Sequence, residues 1–491
     1  MAPKKNAAKA VRKPVKVARP AKKTPAKKVQ TPAKTKKTPP KAVKSPAAKS
    51  SVVQSKPAAA KPPRPVVIAE PPTVKVERTA ESPINRANEQ IYVQKLIERI
   101  VAECPERRPT SEDERRAHQI MQAEFERLGL ATTEESFKFN ENLYANMALH
   151  FGLGTLGTMV SALLPLVGLA LHAGVGTSYL HDSTRKGYYL RRLFPWKKSQ
   201  NLLATIPAKG EPALRIVLMG HADAAFTGLL FNPKIVEWFS GDLPPRLQFL
   251  KRSMEVATKA QFALAGFDLL RVFLGPLTWP LLPIEAAISV PGLIAFLLNV
   301  EVVLRNQVVP GANDNLSGTV ALPILAGRLA SRKPENVELV FAVTGCEEAS
   351  LGGADALAKA KDGQWDKNKT VVIGLDGLTN GELRFTASEG EVVSEPIAPW
   401  LRAVLERTAR IESRFHEVQA FEIPVGGTDS YAFMRRGFDA ASLVCVDPQV
   451  GSPLHYHTVN DTPQNLDWEK LMFSIDFTEA LVLEIIRERL R

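Results

Sequence analysis

Between Asn142 and His181 the chain carries not one Asp, Glu, Lys or Arg. From Met147 to Leu180 it is strongly apolar, interrupted by glycines and by Pro165. A charge-free run beyond about 20 residues is long enough to cross a bilayer as a helix. A second apolar block covers residues 260–304 and is broken by Asp268, Arg271, Glu285 and Glu301. Its charge-free runs, 272–284 and 286–300, each fall short of a full span, and Pro276, Pro280, Pro283 and Pro291 interrupt them. Strand-like segments stand on both sides of each block. If those strands share one sheet, the chain must return to the side it left, so a membrane reading requires an even number of crossings. The first block is therefore expected to be a hairpin, a re-entrant dip or an interfacial insert, with a bend near Pro165. The second block points the same way. A lid or a dimer surface is the rival use of such segments, because apolar patches also mark partner interfaces.

Outside these blocks the pattern is that of a folded α/β chain. Ile91, Leu96, Ile97, Ile100 and Val101 have helical spacing over 88–103. Ser111-Glu112-Asp113-Glu114 opens a second helix, with Ser111 as its N-cap. Residues 132–139 read as a strand. Further strands over 201–207, 214–219, 337–343, 371–375 and 442–446 alternate with helices over 317–332, 353–361, 400–410 and 467–490. Such alternation predicts a mixed, mostly parallel central sheet with helices on both faces. The two apolar blocks are then helical inserts at 142–182 and 260–304 in a domain running over 81–491.

The formal net charge of +13 misrepresents that domain. Twenty of the 64 basic residues lie in residues 1–64, which contain no Asp or Glu. The remaining 44 face 51 acidic residues, so the body is mildly acidic. The Lys/Pro/Ala-rich segment has no aromatic residues and too little apolar surface to offset its ordering entropy. Residues 1–80 are expected to form a disordered basic tail and linker. Residues 1–64 are expected to bind polyanions weakly and without sequence preference, since no stacking side chains are interleaved. Cys104, Cys346 and Cys445 are odd in number and far apart, which excludes a disulfide framework and fits a reducing compartment. No secretory signal is visible, the first apolar run of any length beginning near residue 143.

Polar residues gather where the strands end. His221-Ala222-Asp223 follows one strand, Glu347-Glu348 another, Asp376 a third and His455-Tyr456-His457-Thr458 a fourth, while Gly311-Ala312-Asn313-Asp314-Asn315 precedes a helix. Ligands of α/β sheets bind outside the carboxyl ends of the strands. Imidazoles and carboxylates together suit zinc, and other divalent metals accept similar donors. The donors suffice for two metals if one carboxylate bridges them, and a pair about 3.5–4 Å apart holds and acidifies one water. A lone Glu pair is ordinarily a solvated face and a lone His a structural one. The joint order along the chain is what points to chemistry.

In that order the sequence resembles metallopeptidase family 28, the di-zinc aminopeptidases. The matching stretches are His221-Ala-Asp223, Gly311-Ala-Asn-Asp314-Asn-Leu-Ser-Gly318, Glu347-Glu348, Asp376 and Tyr456-His457-Thr-Val-Asn-Asp461-Thr462. Arg108-Pro-Thr-Ser-Glu and its helix look like the family's opening, and the resemblance covers about residues 88–491. It implies two Zn2+ per chain, with Asp314 bridging, His221 and Asp376 completing one site, and Glu348 and His457 the other. It implies that Asp223 orients His221 and that Glu347 is the general base of peptide hydrolysis, acting on a water between the metals. Thr458 and the following Asp-Thr favour His457 over His455 as the ligand.

Three positions depart from the family: Ala222 for an aromatic residue, Asn313 for Asp, and Thr428-Asp429-Ser430 for Ser-Asp-His. None removes a ligand. The implied activity is a zinc-dependent exopeptidase of the aminopeptidase type acting on peptides. The alternatives are a non-catalytic membrane receptor or scaffold, a tail-driven nucleic-acid or surface-binding protein, and a glutaminyl-cyclase-like transferase with one zinc. With the blocks in a membrane, the basic tail and the cluster from Arg185 to Lys198 place the catalytic domain on the cytoplasmic side. Removing residues 1–64 is expected to leave catalysis intact and to lower affinity for DNA and anionic vesicles at low salt. Equal binding by both forms in a salt titration reduces the tail to a solvated linker.

Overall fold

The computed structural model describes residues 86–232, 234–236, 251–449 and 451–491. The tail and linker expected over residues 1–80 lie outside these. Helices α1 (Arg86–Glu103) and α2 (Glu112–Arg127) lead to strand β1 (Ala131–Phe139). Ser111 caps α2, its hydroxyl accepting the N–H of Glu114 at 3.0 Å. Strands β2 (Lys197–Ile206), β3 (Leu214–His221), β4 (Val337–Thr344), β5 (Thr370–Asp376), β6 (Glu382–Glu389), β7 (Glu395–Pro396), β8 (Gln419–Glu422) and β9 (Asp439–Val446) join β1 in one sheet. Its order is β1-β2-β4-β3-β5-β9-β6-β7, with β8 paired to β6. The central strands β4, β3, β5 and β9 run parallel. Antiparallel strands flank them, β2 on one side and β6 on the other.

The central strands are apolar on both faces, as strands covered on both sides must be. Ile216, Leu218, Leu339, Phe341, Val371 and Ile373 point into one core. Val217, Met219, Val340, Ala342 and Val372 alternate with them into a second core on the opposite face. Each fully buried aliphatic side chain contributes roughly 1.5–3 kcal/mol. Helices α1 and α2 cover the first face, together with helices later in the chain. The apolar blocks form helices α3 (Leu143–Ser161), α4 (Pro165–Ser183), α5 (Ser253–Leu274) and α6 (Leu282–Arg305). The remaining helices are α7 (Gly318–Ala330), α8 (Gly352–Lys361), α9 (Pro399–Thr408), α10 (Asp429–Met434) and α11 (Trp468–Arg489). Helices α7, α9 and α11 pack on the first face, and α8 and α10 on the second.

Both blocks are helical hairpins, and they pack together as a four-helix bundle in which α3 contacts α4 and α6, and α5 contacts α4 and α6. Pro165 sits in the first turn of α4, where its missing N–H costs nothing. The prolines of the second block do not fragment it. Pro276 and Pro280 lie in a tight turn over Gly275–Leu281, Pro283 lies in the first turn of α6, and only Pro291 is interior. The helix-containing segment Ser253–Arg305 is long and apolar enough to cross a membrane, and 17% of its most apolar window is buried within the protein.

The bundle is inverted relative to a water-soluble one. His150, His172, Gln261, Asp268, Arg271, Glu285 and Asn299 are buried between its helices. His172 Nδ1 lies 2.6 Å from Asp268 Oδ2, and Arg271 joins Asp268 and Glu285 and donates to Ser161 Oγ at 3.0 Å. Leu163, Phe273 and Leu277, in contrast, are 83%, 77% and 79% exposed. Helices α3 and α5 meet at Gly154, where an added Cβ would fall 2.4 Å from Gln261 Oε1 and displace that side chain.

Candidate metal centre

Four of the site's elements begin at the carboxyl ends of the four parallel strands. His221 is the last residue of β3 and Asp376 the last of β5. Glu347 and Glu348 lie in the loop after β4, and His457 in the loop after β9. Asp314 comes from the turn Ala312–Ser317 that opens α7. The expected metal-binding residues thus converge on one place.

Asp314 stands at the centre. Its Oδ1 lies 3.3 Å from His221 Nε2, and its Oδ2 lies 3.2 Å from His457 Nε2. Glu348 Oε2 is 3.2 Å from the same His457 nitrogen, and Asp376 Oδ1 is 3.9 Å from His221 Nε2. Two donor groups share Asp314: His221 with Asp376, and Glu348 with His457. Glu347 lies 3.7 Å from His221 Nε2 and forms a third group with His221 and Glu348. His455 belongs to none of these groups among the described residues.

The donor set fits zinc. Bonds of about 2.0–2.1 Å in a tetrahedral site put neighbouring ligand atoms about 3.3 Å apart. Three of the four nitrogen–oxygen separations are 3.2 or 3.3 Å, and the Asp376 contact is wider. Although buried, His221 Nε2 and Glu348 Oε1 have no hydrogen-bond partner, as expected of atoms that face a cation.

The electrostatics describe the same competition. Burial, opposed by His221 and reinforced by Glu348, holds Glu347 well above the usual carboxylate range. Burial and Asp314 do the same to Asp376. Burial also disfavours ionised Asp314, yet the adjacent imidazoles of His221 and His457 hold it below the usual range. Burial opposes protonation of His457, but Glu348 and Asp314 push it up to about 10.

The supporting groups are less local. Asp223 accepts the backbone N–H of Glu347 at 3.1 Å and of Glu348 at 3.0 Å, and its Oδ1 stands 3.5 Å from His221 Nδ1. It therefore ties the glutamate loop to β3 while facing the imidazole. Arg107 is fully buried and donates to the carbonyls of Ala222 at 3.0 Å, Pro310 at 2.7 Å and Gly311 at 3.1 Å, fastening two of the site's loops together. Glu114 reaches from α2 to the N–H of Cys346 at 2.7 Å. Cys346 and His457 both have φ in the left-handed region, at 56° and 52°, a conformation non-glycine residues adopt only when their surroundings enforce it. Asp429, from the departing Thr-Asp-Ser segment, is buried beside Thr344 and pushed up to about 6 by burial. Tyr144, in the first turn of α3, places its hydroxyl 3.3 Å from His457 Nδ1.

Asp461 is the most informative of these. Its Oδ1 accepts Asn313 N–H at 2.7 Å and its Oδ2 accepts Asp314 N–H at 3.0 Å. The two bonds fix the backbone that aims Asp314. Asp461→Asn keeps the shape but offers one acceptor for two amides, and one unpaired buried N–H costs about 1–3 kcal/mol. Chemical denaturation of the metal-free protein is expected to show that loss, and metal titration a weaker affinity. Unchanged values in both measurements would mean that the amides find other acceptors.

The sequence model of Peptidase family M28 matches residues 299–481. No curated protein matches the sequence. Among solved structures, a zinc aminopeptidase from Bacillus subtilis is similar at 13% identity and a TM-score of 0.48, over 82% of this chain and 96% of its own. A glutaminyl cyclase from an Acidobacteriales bacterium is similar at 14% and 0.46, over 84% and 97%. An aminopeptidase from Aneurinibacillus sp. strain AM-1 is similar at 15% and 0.46, over 81% and 93%.

Proposed function

For a chain whose residues 299–481 match the model of peptidase family M28, we propose a zinc-dependent exopeptidase of the aminopeptidase type, held in a membrane by its helical bundle. The observation that carries the catalytic reading is Asp314, one carboxylate oxygen toward each of two buried histidines. His221 and Asp376 would hold one cation, Glu348 and His457 the other, and Asp314 both. Bound there, zinc supplies Lewis acidity for the scissile carbonyl and for water.

The protein's own groups do the rest. Glu347 lies beside the donor cluster, 3.7 Å from His221 Nε2. It takes the proton of the attacking water and returns it to the leaving amine, a role that requires lone pairs not committed to a metal. Asp223 keeps Glu347 and Glu348 in register by their amides. Tyr144 and Phe231 surround His457, the Phe231 ring lying 4.5 Å from the imidazole, and keep water from its outer side. A single-zinc transferase would need only three of these five donors. A non-catalytic scaffold would have no use for Glu347 in its present position.

The membrane reading rests on the inverted bundle. Helices α3 and α4 have 19 residues each, α5 22 and α6 24. At a rise of about 1.5 Å per residue they extend about 28–36 Å, against about 30 Å of hydrocarbon. Lys186, Arg192, Lys197 and Lys198 are exposed just beyond the foot of α4, on the side of the sheet, which favours a cytoplasmic catalytic domain.

Glu347→Gln is expected to lower kcat/KM on aminoacyl amides by about 10²–10⁴-fold with metal content unchanged. Asp314→Ala is expected to lose metal and activity together. Normal turnover in the first variant rejects the general base, and two retained metals in the second reject the bridge. For orientation, Lys198→Cys is expected to react with an impermeant maleimide only after cells are permeabilised. The three native cysteines are buried and leave that signal clean. Labelling in intact cells reverses the assigned side.

A further inference from the structure

Resting on the peptidase and membrane readings above, we infer that the substrates are membrane-anchored polypeptides, trimmed from a free N-terminus lying within a few residues of the lipid headgroups. The inference comes from where the metal centre stands relative to the bundle. Tyr144 is the second residue of α3, and its hydroxyl is 3.3 Å from His457. The charge-free stretch of the chain starts at Asn142. A proposed metal ligand is therefore one side chain away from the first turn of the bundle.

Three further contacts place the site's loops under the foot of the bundle. Phe231 packs edge-on against Tyr144 at 6.0 Å and shares a buried cluster with Val302 of α6. Val392 is buried among Met147 and Phe151 of α3 and Tyr179 of α4. The Tyr179 hydroxyl donates to Glu391. These loops are joined in turn to the ones around the centre. Phe231 packs against Tyr456 at 5.9 Å, and Gly390 N–H donates to Gly426 O at 2.9 Å.

Several outward side chains of these loops are apolar. Leu229, Val393, Val425, Leu454, Tyr456 and Val459 are all exposed. Scattered exposed apolar residues are ordinary, but these lie on loops linked to one centre and to the foot of one bundle. The belt above them explains the pattern. Large apolar side chains are exposed on all four helices, among them Met159, Val167, Leu270 and Leu297. A protein partner would cover one side of such a ring, whereas lipid covers all of it. The basic residues beyond the foot of α4 complement anionic headgroups.

The geometry sets a length. Taken from the foot of the bundle, where Leu304 of α6 is exposed beside the Phe231–Val302 cluster, the centre lies on the order of one to two helical turns away, about 5–11 Å. The headgroup layer adds about 5–8 Å. An extended chain bridges that span with about three to six residues at about 3.3 Å each. A soluble peptide must find the site from bulk water, while an anchored one is presented at high local concentration.

The test uses the full chain reconstituted with zinc in vesicles of mixed zwitterionic and anionic phospholipid. The probe peptides have a free N-terminal leucine and either no anchor or a C-terminal transmembrane helix. In the anchored ones, a polar spacer of about five or about thirty residues precedes the helix. The short-spacer substrate is expected to be cut at least about tenfold faster than the free peptide at equal bulk concentration, and no slower than the long-spacer one. Cleavage of the free and long-spacer peptides with the short-spacer one resistant overturns the inference and leaves the peptidase reading standing. Equal rates on free and anchored peptides do the same, as does failure of the chain to associate with the vesicles. Cleavage of none of the three overturns both readings.

Discussion

Buried negative charge organises this protein. Asp223, Asp314, Glu347, Glu348, Asp376 and Asp429 crowd around two imidazoles at the carboxyl ends of four parallel strands. Taking that many carboxylates out of water is unfavourable unless cations and hydrogen bonds compensate. Each element of the site answers this demand. His457 and His221 share Asp314, Asp461 and Asp223 are spent on backbone amides, and Arg107 lies fully buried among carbonyls. Divalent cations, on the proposed reading, would complete the balance, which accounts for the buried His221 Nε2 and Glu348 Oε1 that face the centre without hydrogen bonds.

Much of this could be read along the chain because chemistry and secondary structure coincide there. A strand with both faces apolar ends in a histidine, and the next two end in glutamates and an aspartate, so periodicity and residue type mark the same positions. The groups that hold those residues could not be read. Arg107 meets Ala222 across 115 positions, and Glu114 meets Cys346 across 232. No local pattern distinguishes either from a solvated charge. Tyr144 sits at the start of an apolar block, where a tyrosine looks like packing. Strands β6 to β8 carry no such signal, because β6 begins and ends in glutamates and β7 and β8 have two and four residues. The proline pattern misled in the other direction. Prolines at first turns and in a tight connection preserve helices that their density would break.

The bundle resolves the tension between the two apolar blocks and an otherwise ordinary α/β chain. Neither block alone hides its polar residues. His172 lies on α4 and its partner Asp268 on α5, while Arg271 of α5 meets Glu285 of α6 and Ser161 of α3. Each hairpin supplies what the other needs, and a lone hairpin in hydrocarbon would expose these groups at a cost of several kcal/mol each.

That mutual dependence has a consequence for biogenesis. The first hairpin interrupts the chain between β1 and β2, which pair with each other, and the second interrupts it between β3 and β4, which also pair. Neither gap in the sheet can close until the hairpin that interrupts it has been made. Asp314, Glu348, Asp376 and His457 all emerge from the ribosome after the second hairpin. On the proposed reading, assembly of the hydrolytic centre would come last, after insertion, so that a nascent chain still in the aqueous phase would have no completed centre with which to digest its neighbours.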